Sequence, residues 1–102
     1  MRIFTFISLL FCSFYSFSQN GIIKGNLANQ LNNEPISFAN VLIIETAQGA
    51  SSDENGNFEI NGLVPGLYNL KISFVGFKDV LVSEIQVSNS KPSIVNVKME
   101  EI

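Results

Sequence analysis

The sequence predicts an all-β fold, an antiparallel β-sandwich of about seven strands, and three observations carry that expectation. No segment keeps an apolar repeat of helical period over three turns. Short runs rich in valine, isoleucine and phenylalanine recur at the ~8–12-residue spacing typical of sandwiches. Between them lie clusters of asparagine, glycine, proline and serine, which are turn chemistry.

Taken in order, "GIIKGNLA" (21–28) alternates, with Ile23 and Leu27 on one face and Lys24 and Asn26 on the other. "NQLNNEP" (29–35) is amide-rich and closes on proline, a loop. "ISFANVLIIET" (36–46) is β-branched and apolar on both faces, as expected of a central strand between two layers. "AQGASS" reads as a turn. "NFEI" (57–60) is short and alternating, and "NGLVPG" is turn chemistry again. In "LYNLKISFVGF" (67–77), Tyr68, Leu70, Ile72 and Phe74 share a face, and Gly76 is expected to break the period as a bulge or bend. "DVLVSEIQVS" and "SIVNVKME" complete the set, separated by "NSKP".

The chain has 102 residues, enough for one domain, and its first 18 are expected to be a separate element. Arg2 precedes an apolar run from Ile3 to Phe14, and the small residues Ser16 and Ser18 stand at the −3 and −1 places before Gln19. This is the pattern of a secretory signal peptide cleaved after Ser18. The apolar run is shorter than the ~20 residues a spanning helix needs. Cys12, the single cysteine, lies inside it; Phe11 before it is not the small residue of a lipoprotein signal. The expected mature domain, 19–102, then has neither disulfide nor thiol nucleophile. It carries five lysines, no arginine and nine carboxylates, so its net charge is 5 − 9 = −4. That balance argues against nucleic-acid binding, which needs clustered cations.

The densest polar stretch is "SDENGNFEI" (52–60). Asp53, Asn55 and Asn57 match the first three ligands of an EF-hand loop, but Phe58 stands where its glycine belongs and Val64 where its closing glutamate belongs. Only a weak surface calcium site at Asp53 and Asn55 survives that comparison. Asp53 and Glu59 are expected on the two strands of one small hairpin, not across a cleft as glycosidic chemistry requires. The chain has no histidine, which removes histidine triads and histidine metal sites. The simplest reading is a hairpin tip with a type I′ turn at Asn55-Gly56, Phe58 and Ile60 facing the core, and the acidic side chains in water.

With these residues in view, the chain resembles the carboxypeptidase regulatory-like domain, a transthyretin-like Greek-key sandwich. The resemblance rests on "GIIKGNL" (21–27), Pro35 with "ANVLI" (39–43), the acidic "DENGNF" hairpin (53–58) and the run from Pro65-Gly66 into "LKISFVGFK" (70–78). It is similar in particular to the copy at the N-terminus of TonB-dependent outer-membrane receptors of the Bacteroidetes. The resemblance implies a domain without catalytic residues or cofactor, exported to the periplasm, acting in interaction or regulation with a periplasmic or outer-membrane protein. The chain would be a free-standing copy or the N-terminal fragment of such a receptor.

Two surfaces are expected to matter for such a role: a sheet edge able to accept a partner strand, and an apolar patch at Val75 and Phe77. Gly76 could instead re-aim those two side chains into the core. The alternative function is a carbohydrate-binding module, which would need exposed aromatic platforms. The mature chain offers Tyr68, Phe38, Phe58, Phe74 and Phe77, most of them expected in the core. The oligomeric state is left open by the sequence.

Overall fold

A computed structural model describes residues 20–102; the expected signal segment and its cleavage point lie outside the described residues. Seven strands follow one another: β1 (Gly21–Asn29), β2 (Asn40–Ile43), β3 (Gly49–Ser51), β4 (Asn57–Leu63), β5 (Gly66–Ser73), β6 (Val80–Val87) and β7 (Ser93–Met99). They form a three-stranded sheet in the order β4-β1-β7 and a four-stranded sheet in the order β3-β2-β5-β6. Across the layers β3 lies against β4 and β6 against β7. Among the described residues no helix is long and apolar enough to cross a membrane.

The core is what strand alternation dictates. Ile23 and Leu27 of β1, Phe58 and Ile60 of β4, and Leu70 and Ile72 of β5 all point between the sheets and are buried. Tyr68 joins them, and its hydroxyl donates to the Val64 carbonyl, so the ring is enclosed without leaving a polar atom unpaired. Asn57 and Glu59 face outward, as expected for the other face of β4.

Four features depart from the expectation. The pairing of β1 with β7 is parallel, with unbroken register from Ile23↔Ser93 to Asn29↔Met99, so the smaller sheet is mixed rather than antiparallel. The "AQGASS" turn contains a strand, β3, which pairs with β2. "NGLVPG" is only partly a turn, because β4 runs on to Leu63. The run 36–46 supplies only four strand residues, because Ile36–Ala39 is where the chain crosses between the sheets. The Ile36 N–H bonds Leu27 O at 3.0 Å, on the β1 side, and the Phe38 N–H bonds Ser52 O at 2.8 Å, on the β3 side. The crossing forces Phe38 to a φ of 62°, which turns its ring outward. Consequently β2 is not covered on both faces: Val41 and Ile43 are buried, while Leu42 and Ile44 are exposed.

A polar clasp holds β2, β5 and β6 in register at one point. Between Tyr68↔Ile85 and Leu70↔Val82 the strand β6 carries one extra residue, a bulge that places Glu84 at a φ of 57°. Asn69 sits opposite it and accepts the Glu84 N–H on Oδ1 at 3.0 Å. Its own backbone N–H and Nδ2 donate to Glu45 Oε1 and Oε2, each at 2.7 Å. These bonds favour the ionised carboxylate, the Asn69 backbone amide most and its side chain next, and hold the Glu45 pKa below its ordinary value. Because folding lowers this pKa, the contribution is present above the ordinary value of 4.5 and is lost as pH falls through the lower folded value. Urea midpoints measured across the acid range should therefore show a decline below that pH that is shallower in Glu45→Gln than in the parent chain.

Candidate functional site

The acidic loop is built by its backbone. The Gly56 N–H bonds Asp53 O at 2.9 Å and the Asp53 N–H bonds Asn57 O at 2.8 Å, closing a tight turn over Glu54 and Asn55. Only Gly56 takes positive φ, 80°, so the expected type I′ turn is replaced by a three-residue loop with a single left-handed glycine after the bend. The loop is not the tip of a hairpin within one sheet either. It carries the chain from β3 in the four-stranded sheet to β4 in the three-stranded one.

That placement decides what the polar groups do. Asp53 Oδ1 accepts the N–H groups of Asn55 and Asn57, both at 2.9 Å. Asn26 Nδ2, from β1, donates to Asn55 O at 3.0 Å and to Asn57 Oδ1 at 2.8 Å. Ser37 Oγ donates to Glu54 O at 3.0 Å. Beneath them Ser52 is buried; its Oγ donates to Ile36 O and accepts from the Ala39 N–H. Asp53 Oδ1 therefore already accepts two amides, and the N–H and carbonyl of Asn55 are both bonded as well. Glu59 stands on the outer face of β4, opposite Lys24 in register and bonded by Asn61 at 3.3 Å. Among the described residues no three His, Cys, Asp or Glu side chains come together as metal ligands would. Asn26, Ser37 and Ser52 were not singled out by sequence reasoning. Their role depends on two chain segments meeting at β1, for which strand alternation carries no signal.

The structure separates Val75 from Phe77. The Phe77 N–H bonds Phe74 O at 3.1 Å, and Gly76 takes a φ of 85° between them, a type II-like turn with its glycine in the required place. The turn re-aims Phe77 onto the core edge, where its ring lies 5.8 Å from that of Phe74, and leaves Val75 91% exposed. The C-terminal residues brace this end: Lys78 N–H bonds Glu100 O, and Ile102 N–H bonds Gly76 O. Exposed Phe38 lines the same hollow as Val75 and Phe74. Elsewhere Leu42 and Leu81 flank Lys71 on the outer face of the four-stranded sheet.

A larger opening lies between the sheets, where β6 and β7 form their free edges. It measures about 900 Å³ and is walled by Val82 and Ile85 from β6 and by Val95 and Val97 from β7, with Lys91 and Pro92 at one end.

Three outcomes test these assignments. A Cβ on residue 56 would lie 2.3 Å from Leu27 O in a backbone conformation that side chains avoid, so Gly56→Ala should destabilise the domain by about 2 kcal/mol or more in urea unfolding. Phe77→Ala should cost about 1–3 kcal/mol, less than a fully enclosed phenylalanine. Val75→Ser should leave the unfolding free energy unchanged within about 0.5 kcal/mol.

Comparison with known proteins places this geometry. The fold is similar to a chain of a type II cohesin–X-dockerin complex from Acetivibrio cellulolyticus, with a TM-score of 0.68, 20% identity, and coverage of 78% of this chain and 57% of that one. It is similar also to the minor pilin of Streptococcus agalactiae, at TM-score 0.61 and 16% identity over 84% of this chain and 46% of that one. A third likeness is to a putative carbohydrate binding protein from Bacteroides uniformis, at 0.59 and 16% over 76% and 40%. This chain thus spans little more than half of the first of these and less of the others. No curated protein matches. A family profile described as the CarboxypepD_reg-like domain matches residues 23–102, the span that forms both sheets apart from the first two residues of β1, and the chain belongs to that family.

Proposed function

We propose that this chain is an exported, non-catalytic module that binds another protein, of the kind carried at the N-terminus of TonB-dependent outer-membrane receptors. The observation that carries the reading is a contrast in the surface. The polar groups that might have done chemistry are bonded to the loop that carries them, whereas large apolar side chains, Phe38, Val75, Leu81 and Ile94 among them, stand exposed. Contiguous groups of this kind mark places where another surface is met, as Phe38 and Val75 do in one hollow and Leu42 and Leu81 do on one sheet face. Two of the similar folds support the reading, one from a cohesin–dockerin complex and one a pilin. The signal-like segment 1–18 supports export, and the periplasm is the compartment that the resemblance to receptor N-terminal domains favours.

The test begins with an antibody raised against residues 19–102, used on fractions of the native organism with cross-linking before lysis. A small periplasmic band that shifts upon cross-linking supports a free-standing module with a partner. A band many times larger in the outer membrane supports a receptor whose first domain this is. A small band that never shifts argues against the binding role. The same domain titrated with glycans should give no signal. Phe38 is the one aromatic ring left mostly exposed among the described residues, and one ring does not make a stacking platform.

A further inference from the structure

We propose that the cleft between β6 and β7 accepts an extended, unpaired peptide strand, which adds antiparallel to the free edge of β7 and presents an acidic C-terminal end to Lys91. This rests on the interaction reading and names its site and the chemistry of its partner.

Three strands are packed against four, and on one side the edge strands β6 and β7 face each other across the cleft, joined at the Lys91 end by Ser93 Oγ donating to Gln86 O at 2.6 Å. Val82 and Val97, which point inward, are left half-buried at this opening, with Ile85 and Val95 behind them. An eighth strand beside β7 would enter the cleft between that edge and β6. Every second side chain of that strand would enter the cleft, since alternate residues of a strand share a face.

The two edges are not equally suited to pairing. On β6 the bulge at Glu84 interrupts the ladder, a device that deters strand addition. β7 is regular along all seven residues of its pairing with β1. Ser93 is held against Gln86, and the six residues 94–99 beyond it, at ~3.3 Å each, give an edge of roughly 20 Å, long enough for a strand of ordinary size.

Charge sets the polarity of the occupant. Among the described residues Lys91 is the one ionisable side chain lining the cleft, and no carboxylate lines it. It precedes Ser93, the first residue of β7. An antiparallel strand ends where β7 begins, so its C-terminal carboxylate or a terminal aspartate would meet the Lys91 ammonium. At the far end of β7 the Lys98 ammonium is already bonded to Asn33 Oδ1. A second copy of this chain fits poorly. The inward side chains of its strands are buried in its own core, so it can lengthen the sheet but cannot fill the cleft.

The test uses residues 19–102 and a nine-residue peptide alternating threonine and valine and closing on aspartate with a free carboxylate. Binding is followed by calorimetry and by amide exchange. The expected result is saturable binding with new protection of β7 amides. Val97→Lys, which places a charge on the cleft wall, should weaken binding by roughly tenfold or more, the scale of one lost valine anchor. Lys91→Glu, an exposed change that leaves the core untouched, should weaken it several-fold and reduce its sensitivity to salt. Placing the aspartate at the other end, with the C-terminus amidated, should also weaken it.

The proposal is overturned if the peptide does not bind at millimolar concentration, or if a scrambled peptide of the same composition binds equally. Protection appearing on β2 and β5 in place of β7, which would point to the apolar outer face around Leu42 and Leu81, overturns it too. These outcomes concern the cleft alone. A cross-linked partner captured by the parent chain and equally by Val97→Lys would leave the interaction reading standing and remove this one.

Discussion

The backbone of Leu27 is where the two sheets are tied together. Its N–H donates to Gly56 O at 2.8 Å, and its carbonyl accepts from the Ile36 N–H at 3.0 Å. Residue 56 belongs to the crossing from β3 to β4, and residue 36 to the crossing from β1 to β2. Both crossings therefore meet at a single buried residue of the central strand. A buried amide or carbonyl left unpaired costs about 1–3 kcal/mol, more than the net worth of the bond it lost. Closure at this point fixes how the two crossings sit against β1. The acidic loop follows from that requirement: Asp53 shapes the bend, Gly56 allows the approach to Leu27, and Asn26 seals the loop from the outer face.

This explains both what could be read along the chain and what could not. Wherever a side chain's direction follows from alternation within one strand, the sequence was sufficient. Ile23, Leu27, Phe58, Ile60, Leu70 and Ile72 all lie where a period of two puts them. The misreadings fall where the chain changes sheet. Phe38 has the composition of a core residue, but a left-handed backbone in the crossing turns it into solvent. β3 is three residues long and looks like a turn because glycine and serine flank one alanine. The parallel pairing of β1 and β7 depends on which sheet β7 joins, information that no local pattern holds. Val75 and Phe77 divide because one glycine between them reverses the chain. The sequence placed that glycine but not the outcome for each neighbour.

The candidate surfaces share a physical origin. The sandwich encloses its polar groups more completely than its apolar ones. Ser52, Asn29 and the loop amides all have partners, and among the described residues no buried side-chain nitrogen or oxygen lacks one. Apolar side chains, by contrast, remain at the end marked by Val75, on the outer face at Leu42 and Leu81, and at the edge between β6 and β7.

The parallel alignment of β1 and β7 has a mechanical consequence. The first and last strands lie side by side and run the same way, so polypeptide enters the domain at one end and leaves at the other, about 20 Å away by strand length. Tension applied through residues before Gly21 and after Met99 would slide these strands along each other. The whole ladder between them would bear the load at once, in shear, instead of opening one bond after another. The bracing of Gly76 and Lys78 by residues 100–102 adds bonds that the same load would have to break.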